Sequence, residues 1–185
     1  MIGYAICGSF CTHAASLSVL ESLARSYDIC PILSGAAAST DTRFGTAASL
    51  IEKVTAICGR EPIVTVKDAE PLGPKTPLEA LVISPCTGNT LAKLANAITD
   101  TSVTMAAKAH LRNGGRLLIA LASNDAMGAN LSNIGTLLVR KNVYFVPMKQ
   151  DDVVRKPHSL VADLRFLPDA LAAAFDGRQL RPLFL

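Results

Sequence analysis

Short, continuously apolar runs alternate along the chain with stretches of helical periodicity, and this alternation constrains the fold most strongly. Runs that are apolar at every position predict strands buried on both faces, as in a parallel sheet covered by helices. Such runs occupy 2–7, 28–33, 80–84, 117–122 and 143–147. Helical spacing fills 12–26, 42–58, 89–99, 103–113 and 128–141. Right-handed crossovers between the strands then predict an α/β fold, a doubly wound Rossmann-like parallel sheet with helices on both faces.

Weaker patterns fill the rest of the chain. Residues 63–66 form a candidate short strand, whereas 68–77 (with three of the ten prolines) and the polar, charged stretch 149–158 are predicted to be loops. A last helix is predicted from the helical spacing of Leu160, Leu164, Leu167 and Leu171. Because there is no repeat, low-complexity tract or linker, we interpret residues 1–185 as a single domain.

Charge and hydropathy exclude several classes of protein. The chain is 50% hydrophobic, which argues against disorder, and its net charge of +3 is too small and scattered to predict nucleic-acid binding. No apolar run reaches the roughly 20 residues of a membrane helix, and the first ten residues lack the basic start of a signal peptide. The five cysteines form no CxxC pair and no metal-ligand cluster. We therefore expect reduced thiols in a cytoplasmic protein without a metal site.

Small polar residues follow four of the predicted strands. Ligands of doubly wound sheets bind outside the carboxyl ends of the strands, where backbone N–H groups and hydroxyls can hold a phosphate at a helix N-terminus. The segments in question are 8–10, 34–35, 85–90 and 123–125. Each of these segments alone has the ordinary composition of a loop. Four such segments at one edge of the sheet favour a site for a phosphate-bearing ligand. GxGxxG is absent, so a dinucleotide site of that type is not predicted.

The sequence Ser84-Pro85-Cys86-Thr87-Gly88-Asn89-Thr90 gives the sharpest signal. It resembles the PASANT motif of the homo-oligomeric flavin-containing cysteine decarboxylase superfamily, which includes phosphopantothenoylcysteine decarboxylases and UbiX-type flavin prenyltransferases. The resemblance implies a homo-oligomer, a trimer or a multiple of one, that binds FMN in these loops. The implied cofactor-binding residues are Gly8, Ser9, Phe10, Ser34, Thr87, Gly88, Asn89, Thr90 and Ala122.

Finer strings resemble the dipicolinate synthase B subunits, one family within that superfamily. The strings are Thr42-Arg43-Phe44-Gly45, Glu70-Pro71-Leu72-Gly73-Pro74-Lys75, Thr87-Gly88-Asn89, Met105-Ala106-Ala107-Lys108-Ala109 and Ser123-Asn124-Asp125-Ala126. The family implies a role in spore-forming bacteria, where the separate, NADP-using A subunit of dipicolinate synthase takes part in oxidising dihydrodipicolinate to dipicolinate. Arg43 and Asn124 are the implied catalytic residues, and the guanidinium of Arg43 could hold a substrate carboxylate bidentately. Lys75 is a second basic candidate.

Departures from the superfamily pattern keep two alternatives open. The decarboxylases carry a histidine after the third strand and a PxMNxxMW string, but 68–77 holds no histidine and the tryptophan is missing here. Prenyltransferases have an arginine where this chain has Ala122. The alternatives are an FMN-dependent cysteine-type decarboxylase and a non-catalytic ligand-binding subunit with a vestigial flavin site.

Three further sets of residues have ordinary structural interpretations. Asp125 could act as a base beside a bound ring, although Asn-Asp pairs at helix starts are usually caps. Lys108 and Arg112, four apart on one helix, are typical of a solvated face or a contact between subunits. The alanines of 89–113 allow close helix approach, from which we expect self-association through that segment.

Overall fold

The computed structural model describes residues 1–73 and 75–185; Pro74, which falls in the predicted loop 68–77 and in the string 70–75, lies outside the described residues. The strands are β1 (Ile2–Ile6), β2 (Ile29–Leu33), β3 (Ala80–Cys86), β4 (Arg116–Ser123), β5 (Val143–Phe145), β6 (Met148–Asp152) and β7 (Lys156–Ala162). The helices are α1 (His13–Ala24), α2 (Gly35–Ser39), α3 (Ala47–Cys58), α4 (Val66–Ala69), α5 (Gly88–Ala95), α6 (Ser102–Arg112), α7 (Leu131–Leu138) and α8 (Leu167–Phe175). Short 3-10 turns at Phe10–Thr12 and Leu164–Phe166 precede α1 and α8.

The strands form one sheet in the order β2-β1-β3-β4-β7-β6, with β5 also paired to β4. Strands β1 to β5 pair in parallel, whereas β7 runs antiparallel to β4 and β6 antiparallel to β7. Both β5 and β7 pair with β4, β5 along its first half and β7 at Ala122 and Ser123. The hairpin of β6 and β7 therefore extends the sheet at the carboxyl end of β4. The predicted α/β class with a parallel-dominated sheet is confirmed.

Both faces of the sheet are buried, as the continuous apolar runs predicted. Alternate residues of each central strand enter two separate cores, one under α5, α6 and α7 and the other under α1, α3 and α8. The first face carries Ala5, Leu81, Ile83, Leu117 and Ile119, and the second Tyr4, Ile6, Val82, Leu118 and Ala120. All residues of β1, β2 and β3 are buried, which is why these strands read as unbroken apolar runs.

The predicted loop 149–158 is wrong, because most of it belongs to the hairpin of β6 and β7. β6 is an edge strand, and the first half of β7 pairs with β6 alone. Their side chains are largely exposed there, so the two strands lack the apolar alternation that signals a strand. Leu160 consequently lies in β7, and the last helix begins only at Leu167. No helix among the described residues has the length and apolar character needed to cross a bilayer.

The predicted helix 42–58 begins five residues later than expected. Residues Thr42 and Gly45 exchange backbone hydrogen bonds of 3.0 and 3.1 Å in a tight turn, and Gly45 has a φ of +142°. Thr46 then caps α3, its hydroxyl accepting a hydrogen bond from the Ser49 N–H at 3.1 Å. The candidate strand 63–66 is also wrong, since only Ile63 bridges to the sheet, at Ile32, and α4 follows it.

The alanines of α6 do not form a surface for self-association. Ala106, Ala107 and Ala109 are at most 4% exposed, and the first two belong to the core beneath the sheet. Their small size lets α6 pack closely within this chain, where the carbonyl of Ala109 lies beside Gly73. These three alanines therefore do not support the expectation, whereas Ala92, Ala95 and Ala97 are not buried, and self-association through the segment 89–113 stays a prediction.

The start of α3 can be tested by removing its cap. Thr46→Ala deletes the hydroxyl acceptor of the Ser49 N–H and should lower the free energy of unfolding by about 1 kcal/mol. The control is Ser18→Ala, an exposed serine in the interior of α1, which should not lower stability because alanine favours a helix interior. Denaturant unfolding measures both. A Thr46→Ala variant as stable as the control would contradict a helix that starts after Thr46.

Candidate functional site

A cavity of about 860 Å³ opens at the carboxyl ends of β1, β3 and β4. Its volume lies in the usual range of cofactor pockets. Nine of the eleven predicted site residues line it: Gly8, Ser9, Phe10, Arg43, Thr87, Gly88, Asn89, Ala122 and Asn124. They meet because parallel neighbouring strands end at the same edge of the sheet.

The other two predicted residues, Ser34 and Thr90, are not part of the cavity wall. Ser34 is buried as the cap of α2, where its hydroxyl accepts a hydrogen bond from the Ala37 N–H at 3.3 Å. Thr90 is also buried, and its hydroxyl donates to the Cys7 sulfur at 3.4 Å. The sequence placed both at the right edge of the sheet, but could not show that local hydrogen bonds occupy their hydroxyls.

The start of α5 points its free amides at the cavity. Thr87 caps the helix by accepting a hydrogen bond from the Thr90 N–H at 3.3 Å, which leaves the N–H groups of Gly88 and Asn89 without an intrahelical partner. These amides and the helix dipole make this end of α5 partly positive. Such a terminus is well suited to hold a phosphate without a lysine.

Gly88 lets α5 approach the loop after β4 closely. A Cβ at this position would lie 2.5 Å from Ser123 Oγ, 2.7 Å from Asn130 Nδ2 and 2.9 Å from Asp125 Oδ1. Each distance is below a real carbon contact, so a side chain here would separate the helix start from the loop. Glycine is therefore needed at position 88 for packing, and not for a positive φ.

Asp125 lies in a hydrogen-bonded cluster behind Gly88. Ser123 Oγ donates to one carboxylate oxygen at 2.5 Å, and Asn130 Nδ2 donates to both oxygens at 2.9 Å. These hydrogen bonds lower the pKa of Asp125 below its usual value, and the bond from Ser123 has the largest effect. Asp125 is thus an ionised acceptor on the cavity wall, and not the helix cap that its sequence context predicted.

The end of β1 is tied down by a histidine. His13 Nε2 donates to the carbonyl of Cys7 at 2.8 Å, just before Gly8 and Ser9. Burial lowers the pKa of His13 below its usual value, which favours the neutral imidazole near neutral pH. His13 therefore holds the loop in place and is not one of the residues lining the cavity.

Two basic side chains reach the cavity from outside the parallel strands. Arg43, on the turn before α3, lies over the ring of Phe44, with its guanidinium carbon 4.9 Å from the ring centroid. Lys156, at the start of β7, pairs with Asp151 of β6 at 2.5 Å, and this partner raises the pKa of the lysine. Lys75, the second basic group predicted from the sequence, is exposed and does not line the cavity.

The hairpin residues are the functional candidates that the sequence missed. Asp151, Lys156, Ser159 and Val161 all line the cavity, yet they belong to the segment first interpreted as a loop and a helix. The short apolar run from Leu160 to Ala162 was the available signal for a strand. Cys86, by contrast, is fully buried, and burial raises the pKa of its thiol well above the usual value, in keeping with a packing role.

Comparisons with known proteins agree with this geometry. A family model described as Flavoprotein matches residues 2–160. The dipicolinate synthase B subunit of Bacillus subtilis (strain 168) is 41% identical over 185 residues, which cover all of this chain and 92% of that protein. The crystal structure of the dipicolinate synthase B subunit from Bacillus halodurans C superposes with a TM-score of 0.91 at 40% identity, covering 100% of this chain and 95% of the other.

A more distant structure shares the fold alone. The FMN-dependent cysteine decarboxylase SpaF has a TM-score of 0.70 at 22% identity, covering 95% of this chain and 94% of that one.

The hydrogen-bond origin of the Asp125 pKa can be measured. Ser123→Ala removes the first of the causes that lower it, so the pKa of Asp125 should rise toward its usual value. The matched control is Ser132→Ala, an exposed serine on α7 that does not touch Asp125. An NMR titration of the carboxyl carbon follows the shift. An unchanged pKa in Ser123→Ala would show that the short hydrogen bond does not hold the carboxylate.

Proposed function

We propose a function from the premise that the chain belongs to the flavoprotein family and, within it, to the dipicolinate synthase B subunits. In this proposal the protein works with an NADP-using A subunit to oxidise dihydrodipicolinate to dipicolinate during sporulation. The full-length similarity to a dipicolinate synthase B subunit carries the proposal. The cavity supports it, because its wall includes residues from three of the strings that resemble this family: Arg43, Thr87 and Asn124.

The cavity fits FMN. Its volume suits a cofactor of that size, and the free amides of Gly88 and Asn89 at the positive end of α5 suit a phosphate. Gly8 and Ser9 add a second small-residue loop at the same edge, fixed by the hydrogen bond from His13 to Cys7. When bound, FMN supplies two-electron redox chemistry at the cavity.

The basic side chains of the cavity suit the substrate. Dihydrodipicolinate carries two carboxylates, and its oxidation removes a hydride and a proton from the ring. Arg43 is held near the cavity by its own turn and the Phe44 ring, and it makes no ion pair with any residue of 1–73 or 75–185. Its guanidinium is therefore available to one carboxylate as a bidentate donor. Lys156 is the candidate for the other, and the side-chain amide of Asn124 lines the wall with them.

NADP on the A subunit is the final hydride acceptor in this proposal, and FMN undergoes no net redox change. The residues after β2 are Ser34-Gly35-Ala36, so the acidic side chain that reads a ribose in dinucleotide sites is missing, as is GxGxxG. Transfer of the hydride gives NADPH, and the proton leaves to solvent.

We also place this protein in the cytoplasm as a homo-oligomer, a trimer or a multiple of one. The free thiols of the five cysteines and the resemblance to a homo-oligomeric superfamily support this.

A cysteine-type decarboxylase is the weaker candidate. Residues 68–77 contain no histidine to act on a substrate carboxylate, and the tryptophan of the decarboxylase string is missing. The solved FMN-dependent cysteine decarboxylase, at 22% identity, supports the fold and not the reaction.

The phosphate position can be tested with a single charge. Asn89→Asp places a carboxylate at the start of α5, where it stabilises the helix but repels a phosphate. FMN should then bind roughly 10- to 100-fold more weakly, with no loss of thermal stability. The control is Asn96→Asp, which adds the same charge at the far end of α5 and should leave FMN affinity unchanged.

Flavin fluorescence quenching measures both affinities. Equal FMN binding by wild type and Asn89→Asp would remove the phosphate from this helix, and no saturable FMN binding by wild type would favour the vestigial-site alternative.

Testing the role of Arg43 requires both subunits. Reconstituted with the A subunit, NADP and dihydrodipicolinate, wild type should form dipicolinate, whereas this chain alone should not. Arg43→Ala should lower kcat/KM roughly 30- to several-thousand-fold, because one charge-assisted carboxylate contact is lost. This corresponds to a loss of about 2–5 kcal/mol of transition-state stabilisation. Arg25→Ala, at an exposed arginine after α1, is the control and should retain full activity.

Absorbance of the pyridine product follows the reaction. Full activity without the A subunit would overturn the two-subunit proposal, and an unimpaired Arg43→Ala complex would exclude Arg43 from the site.

A further inference from the structure

A second cavity, of about 380 Å³, lies at the opposite end of α5 from the first. Helix α5 begins at the first cavity and, after eight residues or about 12 Å, ends at Leu94 and Ala95 beside the second. The two cavities share no lining residue. We call the second cavity the basic groove and define it by its four charged side chains: Lys108, Arg112, Arg140 and Lys141.

The charge of the groove has one sign. Among the described residues that line it none is acidic, and none of the four basic side chains forms an ion pair with a described residue. Asp100 lies on the segment between α5 and α6, but Lys93 holds it at 2.8 Å. Four positive charges from α6 and the end of α7 therefore face one cavity without a negative group of the described chain to balance them.

Helix termini account for only part of this charge. Arg140 donates to the carbonyl of Leu94 at the end of α5, at 3.4 Å, and Arg112 lies in the last turn of α6, where a cation is favoured. Lys108 lies one turn earlier, and Lys141 is adjacent to Arg140. Like charges four apart on a helix repel each other, so the repulsion between Lys108 and Arg112 offsets part of the stabilisation that Arg112 gives to the end of α6. An anion bound between them would remove that repulsion.

The remaining wall of the groove is mostly apolar, with two threonines, Thr99 and Thr104, among its residues. Ile98 is 46% exposed, and Leu111 is partly exposed beside it. A volume of about 380 Å³ lies at the lower end of the range for small-molecule pockets, and a cavity of this size offers far less surface than a stable protein interface buries. Shape and charge together fit a compact organic molecule with several negative groups.

We propose that the basic groove is a binding site for a small polyanion, a molecule bearing two or more phosphate or carboxylate groups, separate from the cavity at the other end of α5. Lys108 and Arg112 hold one anionic group from α6, and Arg140 and Lys141 hold another from the end of α7. This proposal does not depend on the reaction proposed above.

The test uses inorganic pyrophosphate and citrate as probes, titrated calorimetrically into the full-length protein at low and high salt. Lys108→Gln/Arg112→Gln should weaken binding by roughly 10- to 100-fold, since two charge-assisted contacts are lost. Arg25→Gln/Lys67→Gln makes the same change of net charge at exposed positions outside the groove and should leave affinity unchanged. Preference for pyrophosphate would identify a phosphate-bearing ligand, and preference for citrate a polycarboxylate.

The Asn89→Asp variant distinguishes probe binding in the basic groove from probe binding in the first cavity. In that variant the groove should bind both probes with wild-type affinity, because Asn89 is at the other end of α5, and any binding that is lost belongs to the first cavity. The proposal is overturned if neither probe binds saturably, if the groove and control variants lose affinity equally, or if Asn89→Asp abolishes probe binding. All of the substituted basic side chains are exposed, so thermal unfolding of each variant should match wild type.

Discussion

The contact between Gly88 and the loop after β4 determines how the candidate site is built. Because position 88 has no side chain, the first turn of α5 packs directly on Ser123, Asn130 and Asp125. The same contact brings the free amides of α5 and the ionised Asp125 to one cavity wall. Two neighbouring strands, β3 and β4, thus contribute a positive helix end and a negative carboxylate at closely spaced positions.

These two groups have different roles because they are fixed in different ways. The amides at the start of α5 lack partners within the helix, and so remain available to a ligand. The Asp125 carboxylate already accepts hydrogen bonds from Ser123 and Asn130, which hold it ionised and in one orientation. In the proposed function, the phosphate of FMN would bind at the start of α5, and the negative charge of Asp125 would repel it. In the same proposed function, Arg43 and Lys156 bind the substrate carboxylates, and both lie on segments outside the parallel part of the sheet.

The parallel part of the fold could be predicted from sequence because burial on both faces leaves unbroken apolar runs, as in β1 and β3. The same reasoning placed Gly8, Thr87 and Asn124 at one edge. It failed at the β6–β7 hairpin, where exposed charged residues such as Lys156 interrupt the apolar pattern of a strand. It also failed for Ser34 and Thr90, whose position was right but whose hydroxyls bond within the protein. Sequence patterns report burial well and local hydrogen bonding poorly.

Helix α5 connects the two cavities, and its two ends suit anions for different reasons. At its start, Gly88 and Asn89 offer amides to the first cavity. At its end the carbonyls need donors, and Arg140 supplies one to Leu94. The unpaired carbonyls at this helix end explain why a basic side chain lies at the groove, but one cation would satisfy them. The additional charges of Lys108 and Lys141 exceed what the helix ends need, and it is this excess, rather than the dipole, that makes the groove a binding site.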